Sequence, residues 1–162
     1  MGVFWWLLGL VFVLWLGFNW IAPFAILLRA VRISPGRLPR ELFVWKEART
    51  VRFYVADLGR GYGYSVWAPP LNMVVFDRQF FECASLPLVR FVVAHELAHF
   101  ALGHHRKRWL MVVGGLALLP GVRRWFQRFE DEADAEASRR TGLSRSSFLE
   151  LGDENVRTDG HK

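Results

Sequence analysis

Between Val3 and Leu28 the chain reads VFWWLLGLVFVLWLGFNWIAPFAILL and carries no charged residue. About 20 apolar residues suffice to cross a bilayer as a helix. Trp5, Trp6 and Trp20 stand toward its two ends, where indoles favour the headgroup region. A cleaved signal peptide would open on basic residues and use a shorter apolar core. Myristoylation would need Ser or Thr where Trp6 stands. Arg29, Arg32, Arg37 and Arg40 follow at once, so the positive-inside rule places the rest of the chain in the cytoplasm. The expectation is an uncleaved, single-pass anchor over residues 1–30 with the lipid bilayer as a partner. A helix buried in a soluble core is the alternative.

Composition agrees with a membrane setting. Apolar residues make up 52% of the chain and eight are Trp, yet Lys plus Arg number 21 against 15 Asp plus Glu. The basic residues flank hydrophobic runs and form no long stripe, and no recognition motif accompanies them, so no nucleic-acid partner is expected. The lone Cys83 excludes an internal disulfide. Nothing near it in sequence would lower its pKa and make it a nucleophile.

Past the anchor, SPGRLP (34–39) lies in an expected linker over 31–41, its Pro and Gly halting any helix. LFVWK (42–46) and TVRFYVA (50–56) alternate apolar and polar residues as half-buried strands do, and LNMVVF (71–76) reads as another strand. GRGYGYS (59–65) reads as a turn, since no Lys-Ser/Thr follows to make it a phosphate loop. Ser85 and Pro87 open a helix that runs to about Gly103 and is apolar nearly all round, hence buried. A second hydrophobic stretch, 109–122, is bracketed by Arg106-Lys107-Arg108 and Arg123-Arg124; it is too short for an ordinary span and is weakened by Gly114, Gly115 and Pro120. A charged helix resumes at Arg123 and stops at Thr141-Gly142. Ser144 caps a short helix through Leu151, and 152–162 form a loose polar tail.

Inside the buried helix stands His95-Glu96-Leu97-Ala98-His99, an HExxH pattern. Residues four apart on a helix share a face, so both imidazoles can reach one Zn²⁺ at about 2.0–2.1 Å. Glu96 flanks that face, placed to act on a water and not to ligate. Histidine and glutamate are costly on an apolar helix without such partners. A catalytic zinc site wants a third protein ligand. His105, six residues past His99, has the extended-motif spacing, but that motif needs Gly where Leu102 stands, and Gly103 comes one residue late. His104 and His105 read otherwise as cations closing the helix C-terminus. In FEDEADAEA (129–137), Glu130 and Asp134 share a face. Either a ligand or an acceptor for a ligating imidazole's free N–H could come from there. Asp131, Glu132 and Glu136 read as a solvated face.

HELAH followed by Glu130-Asp131-Glu132-Ala133-Asp134, with Ala137 three residues on, resembles the M48 family of membrane-associated zinc metallopeptidases. The related antirepressor-type M56 peptidases share much of this pattern. The resemblance covers about the last ninety residues. It implies Zn²⁺ held by His95, His99 and Glu130, with Glu96 as catalytic base and Asp134 supporting a ligand. His105 stays as the alternative ligand. The several spanning helices of larger members are lacking here.

The expected architecture is α+β: the transmembrane anchor, then a small zincin-like domain over 42–151 with a short antiparallel sheet and the HExxH helix. His95, His99 and Glu130 can meet only if 109–122 does not cross the membrane once, so it is a hairpin, an interfacial segment or a buried soluble helix. The expected activity is endoproteolysis of peptides or proteins at the membrane, in membrane-protein turnover or quality control. The peptide is expected to lie along the 71–76 strand, with Tyr62, Tyr64, Arg139 or Arg140 facing the oxyanion. The competing classes are a signalling peptidase and a non-peptidase membrane protein with a structural or regulatory zinc site, although a closed site would more naturally use four Cys/His ligands.

Overall fold

The computed structural model describes residues 2, 4–10, 12–13, 25, 28–59, 62–68, 71–113, 121–148 and 150. It is an α+β fold. Its sheet has four strands, β1 (Val31–Arg32), β2 (Val51–Ala56), β3 (Gly63–Ala68) and β4 (Leu71–Asp77), in the order β1-β2-β4-β3. After β4, among the described residues, come the helices α1 (Arg78–Cys83), α2 (Leu86–Ala101), α3 (His104–Val113) and α4 (Val122–Thr141).

The sheet is mixed, not antiparallel. β4 runs parallel to β2 and antiparallel to β3. The chain leaves β2, lays β3 at the far edge, and returns with β4 in the gap between them. Alternation along a strand reports which residues are buried but not the direction of the neighbouring strand, and this is why the expected pairing fails. Met73, Val74, Val75 and Phe76 are all buried, as an unbroken apolar run should be when both sheet faces are covered. Val74 and Phe76 join Phe53, Val55 and the α2 residues Leu88, Val89, Val92, Val93 and Leu97 in the main core. Met73 and Val75 face the other way, with Ala56, Tyr54 and Tyr64. Gly63 suits the close β3–β4 pairing, because a Cβ there would stand 3.0 Å from the Phe76 ring and 3.1 Å from the Val75 carbonyl oxygen.

Two local expectations are corrected. In LFVWK, Leu42, Phe43 and Val44 end a 3₁₀ segment (Arg40–Val44), and no strand forms there; Leu42 is buried while Val44 is exposed, so a short apolar cluster served a helical turn. Within the expected linker, β1 pairs with β2, and Ile33 and Leu38 are buried in the core. Of GRGYGYS, residues 60–61 lie outside the described residues, and Gly63, Tyr64 and Ser65 open β3. α2 has Ser85 at its N-cap as expected, though among the described residues the Ser85 hydroxyl makes no cap bond. After Ser144, whose hydroxyl accepts from the Ser147 amide, residues 145–148 are helical.

Most of the expected anchor and residues 114–120 lie outside the described residues. Residues 4–10 are helical, with Phe4, Trp5, Trp6, Leu7, Leu8 and Leu10 exposed. Among the described residues no single helix is long and apolar enough to cross a membrane; the pair Leu86–Ala101 and His104–Met111 passes that test together but is bent by 58°.

The strand-to-helix corner rests on Asp77. Its buried carboxylate accepts the amides of Leu58 and Gly59 from one loop and of Gln79 and Phe80 from the first turn of α1. Asp77→Ala should therefore cost roughly 2–4 kcal/mol in urea unfolding, a lost cap plus orphaned amides, and Asp77→Asn should cost less. A second fastening is Glu136 of α4, chelated by Arg139 and Arg140, with Arg140 reaching on to Glu47. Hydrogen bonding to Arg139 first, and then to Arg140, outweighs burial and lowers the Glu136 carboxyl from 4.5 to about 2. A depressed carboxyl stabilises the fold above its unfolded value, and that contribution is lost as pH falls through the folded one. The stability gap between wild type and Glu136→Gln should thus be open at pH 7 and close between about 4.5 and 2.

Candidate metal centre

α2 is set at the middle of the domain by its apolar surface, and α4 lies against it. Small residues make that approach close: Ala94 and Ala98 on α2, and Ala133 and Ala137 on α4, are fully enclosed. Ala94, Phe91 and Ala137 share one cluster. This contact carries the acidic stretch of α4 to the histidines of α2.

His95 Nε2 and His99 Nε2 stand 3.1 Å apart, and Glu130 Oε2 lies 3.3 Å from the first and 3.5 Å from the second. Tetrahedral zinc with ligands at 2.0–2.1 Å would set donor atoms about 3.3 Å apart. The three atoms therefore mark one face of such a tetrahedron, and two imidazoles with one carboxylate are a donor set zinc takes. Among the described residues these three form the group able to hold a metal ion.

The surroundings favour a cation. His95 Nδ1–H donates to Asp134 Oδ1 over 2.8 Å, and Asp134 Oδ2 meets Arg145 at 3.0 Å. Burial works against a charge on His95, but the bonds to Asp134 and Glu130 and the charge of Glu96 outweigh it and raise its pKa to about 10 in the metal-free protein. The same bonds to His95 and His99 hold the Glu130 carboxyl well below its ordinary range, against burial. Glu96 is buried beside His95.

Several other side chains stand differently from expectation. His104 and His105 do not close α2; they open α3, because the chain turns at Gly103, whose φ is +66°. His104 is buried. Its Nδ1 is 3.0 Å from His99 Nδ1, and its Nε2–H donates to Glu132 over 3.0 Å. Burial pulls the His104 pKa below its usual value, although the Glu132 bond opposes this. Glu132 and Glu136 are thus engaged, not merely solvated. His105 falls outside the group of three: its ring packs on Phe100, its buried Nε2 has no hydrogen-bond partner among the described residues, and burial above all pushes its pKa down to about 3. Of the residues named for the oxyanion, Arg139 and Arg140 are held by Glu136. The Tyr62 ring packs edge-on to Phe80 and Phe148, and Tyr64 belongs to the far side of the sheet.

Sequence reasoning missed His104, Glu132 and Arg108. The Arg108 guanidinium stands 3.5 Å from Glu130 Oε1 and lies over Phe126. The one available signal was Gly103, whose displacement from the extended-motif position moves the turn and with it the histidine that turns back.

Residues 64–145, half of the chain, match the family model described as Peptidase family M48, a span from β3 through the end of α4. No curated protein matches the chain. The matched span holds both histidines, Glu96, Glu130 and Asp134, and the chain belongs to peptidase family M48, whose members are metal-dependent peptidases.

Proposed function

We propose that this protein is a membrane-anchored zinc endopeptidase acting on proteins at or in the bilayer, in membrane-protein turnover. The observation that carries the reading is the convergence of His95 Nε2, His99 Nε2 and Glu130 Oε2 at tetrahedral spacings. Zinc, when bound, would supply a Lewis acid and bring the ionisation of water close to neutral pH. His95, His99 and Glu130 would hold it, and Asp134, accepting from His95 Nδ1, would leave the Nε2 lone pair for the metal.

Glu96, next to His95 and enclosed by α2, is the base. It takes a proton from the attacking water and returns it to the departing amine. The peptide lies along β3, not β4. β4 is paired on both sides, whereas β3 is an edge of the sheet and lies next to α2 and α3. An extended substrate gains backbone hydrogen bonds there with little demand on its sequence. Trp67 of β3 meets Trp109 of α3 edge-on and walls one end of that edge.

Two features support the membrane setting. The described residues of the N-terminal segment leave Phe4, Trp5, Trp6, Leu7, Leu8, Leu10, Phe12 and Val13 exposed, and soluble monomers rarely gather so many large apolar side chains on one exposed segment. Trp109, Leu110 and Trp125 are also exposed, and they neighbour Arg106, Lys107, Arg108, Arg123 and Arg124. Aromatic and basic residues together suit the headgroup layer, so Trp109, Leu110 and Trp125 meet the interface on the same, cytoplasmic side as both motifs.

Glu96→Gln should keep its zinc, measured by atomic absorption, and lose casein cleavage by about 10²–10⁴-fold; unchanged cleavage would remove Glu96 from the base role. Glu130→Ala should lose zinc while His105→Ala keeps it, and the reverse pattern would transfer the third ligand to His105. The full chain should stay in the membrane pellet after alkaline carbonate extraction. Its release into the supernatant would rule out an integral anchor.

A further inference from the structure

The mechanism uses Asp134 to orient His95 and leaves His99 without a counterpart. We propose that His104 is that counterpart: backed by Glu132, it is a positioning residue that sets the tautomer of His99 so that its Nε2 is free to bind the metal. This inference rests on the reading of the site as a metal centre.

One line of hydrogen bonds fixes the tautomers. A carboxylate only accepts hydrogen bonds. Glu132 Oε2 lies 3.0 Å from His104 Nε2, so that nitrogen carries a hydrogen. A neutral imidazole has one N–H, which leaves His104 Nδ1 bare and accepting. His99 Nδ1, 3.0 Å away, must then be the donor. Neutral His99 with its hydrogen on Nδ1 has a bare Nε2, the atom that faces His95 and Glu130. The opposite sense of the chain would put the His99 hydrogen on Nε2, where it blocks the metal, and would set a lone pair of His104 against the Glu132 carboxylate.

The fold is built to make this contact. On an unbroken helix a residue five positions beyond His99 would point about 140° away from it. The turn at Gly103 and the 58° bend between α2 and α3 bring His104 back onto His99. Phe129 of α4 lies nearly parallel to the His104 ring with centroids 4.6 Å apart, which fixes the ring plane. His104 is only 2% exposed, so water does not compete for either nitrogen. Each ligating histidine is thus held at Nδ1 by α4: His95 by Asp134 directly, His99 by Glu132 through His104.

The test compares zinc affinity, by competition with a chromogenic chelator, among the full-length wild type, His104→Asn and His104→Phe in detergent. Metal-free thermal unfolding of each is followed alongside. Phe keeps the stacking on Phe129 and removes the acceptor; loss of a partner behind a metal-bound imidazole lowers metal affinity about 10–100-fold. Asn places an amide oxygen near the former Nδ1 and should restore affinity to within about threefold of wild type, because it accepts the same N–H. Equal affinities for Phe and wild type would overturn the proposal, as would Asn and Phe failing equally. Should the Phe variant not fold, long-range ¹⁵N-histidine NMR of the zinc-loaded wild type decides. Hydrogens on His99 Nδ1 and His104 Nε2 are expected, and a hydrogen on His104 Nδ1 overturns the assignment. A wild type that binds no zinc would instead refute the metal centre itself, a result distinct from any of these.

Discussion

The contact between α2 and α4 is the constraint on which the rest of the molecule depends. α2 is surrounded by apolar neighbours, so its two histidines and its glutamate have to find polar partners on a helix that packs very close. The alanines at 94, 98, 133 and 137 are enclosed at that contact. Larger side chains there would push α4 outward by more than a hydrogen bond can bridge. Glu130 and Asp134 would then lose His95 and His99 together, and Glu132 would lose His104. Helix packing and site chemistry are one problem with one solution.

The sheet serves the same end from the other side. β4 is buried on both faces and holds α2 through Val74 and Phe76. Asp77 turns the chain from β4 into α1 with its carboxylate on four amides. Placing β4 inside the sheet leaves β3 as the edge beside the helices. The strand that looked most like a substrate platform, the most apolar one, is apolar because it is central, and for the same reason its backbone has no bond to offer a peptide.

Much of the site was legible because its parts are local. His95 and His99 are four residues apart on a helix that had to be buried, so their convergence follows from helical geometry. Glu130 and Asp134 share a face for the same reason, although pairing that face with the first motif came from resemblance and not from periodicity. The misread residues all depend on turns or on partners distant in the chain. His104 looked like a helix terminus because sequence does not display the sign of φ at Gly103. Glu132 and Glu136 looked solvated because their partners, His104 for one and Arg139 and Arg140 for the other, become partners only in the folded chain. Arg139 and Arg140 looked available for an oxyanion until Glu136 was seen to occupy them.

What the sequence by itself determined is the chemistry on offer: a buried helix with two imidazoles and a carboxylate on adjoining faces, a second helix with carboxylates four apart, and a charge-free N-terminal segment. These follow from residue identity and the period of a single helix, which operate over a few residues. What only the tertiary structure decided is the pairing across elements: β4 between β2 and β3, Glu130 onto two histidines, and His104 turned back to His99 with Glu132 behind it. Strand direction, helix bend and interhelical distance are set by how the whole core closes. One turn at Gly103 is enough to bring His104 back against His99.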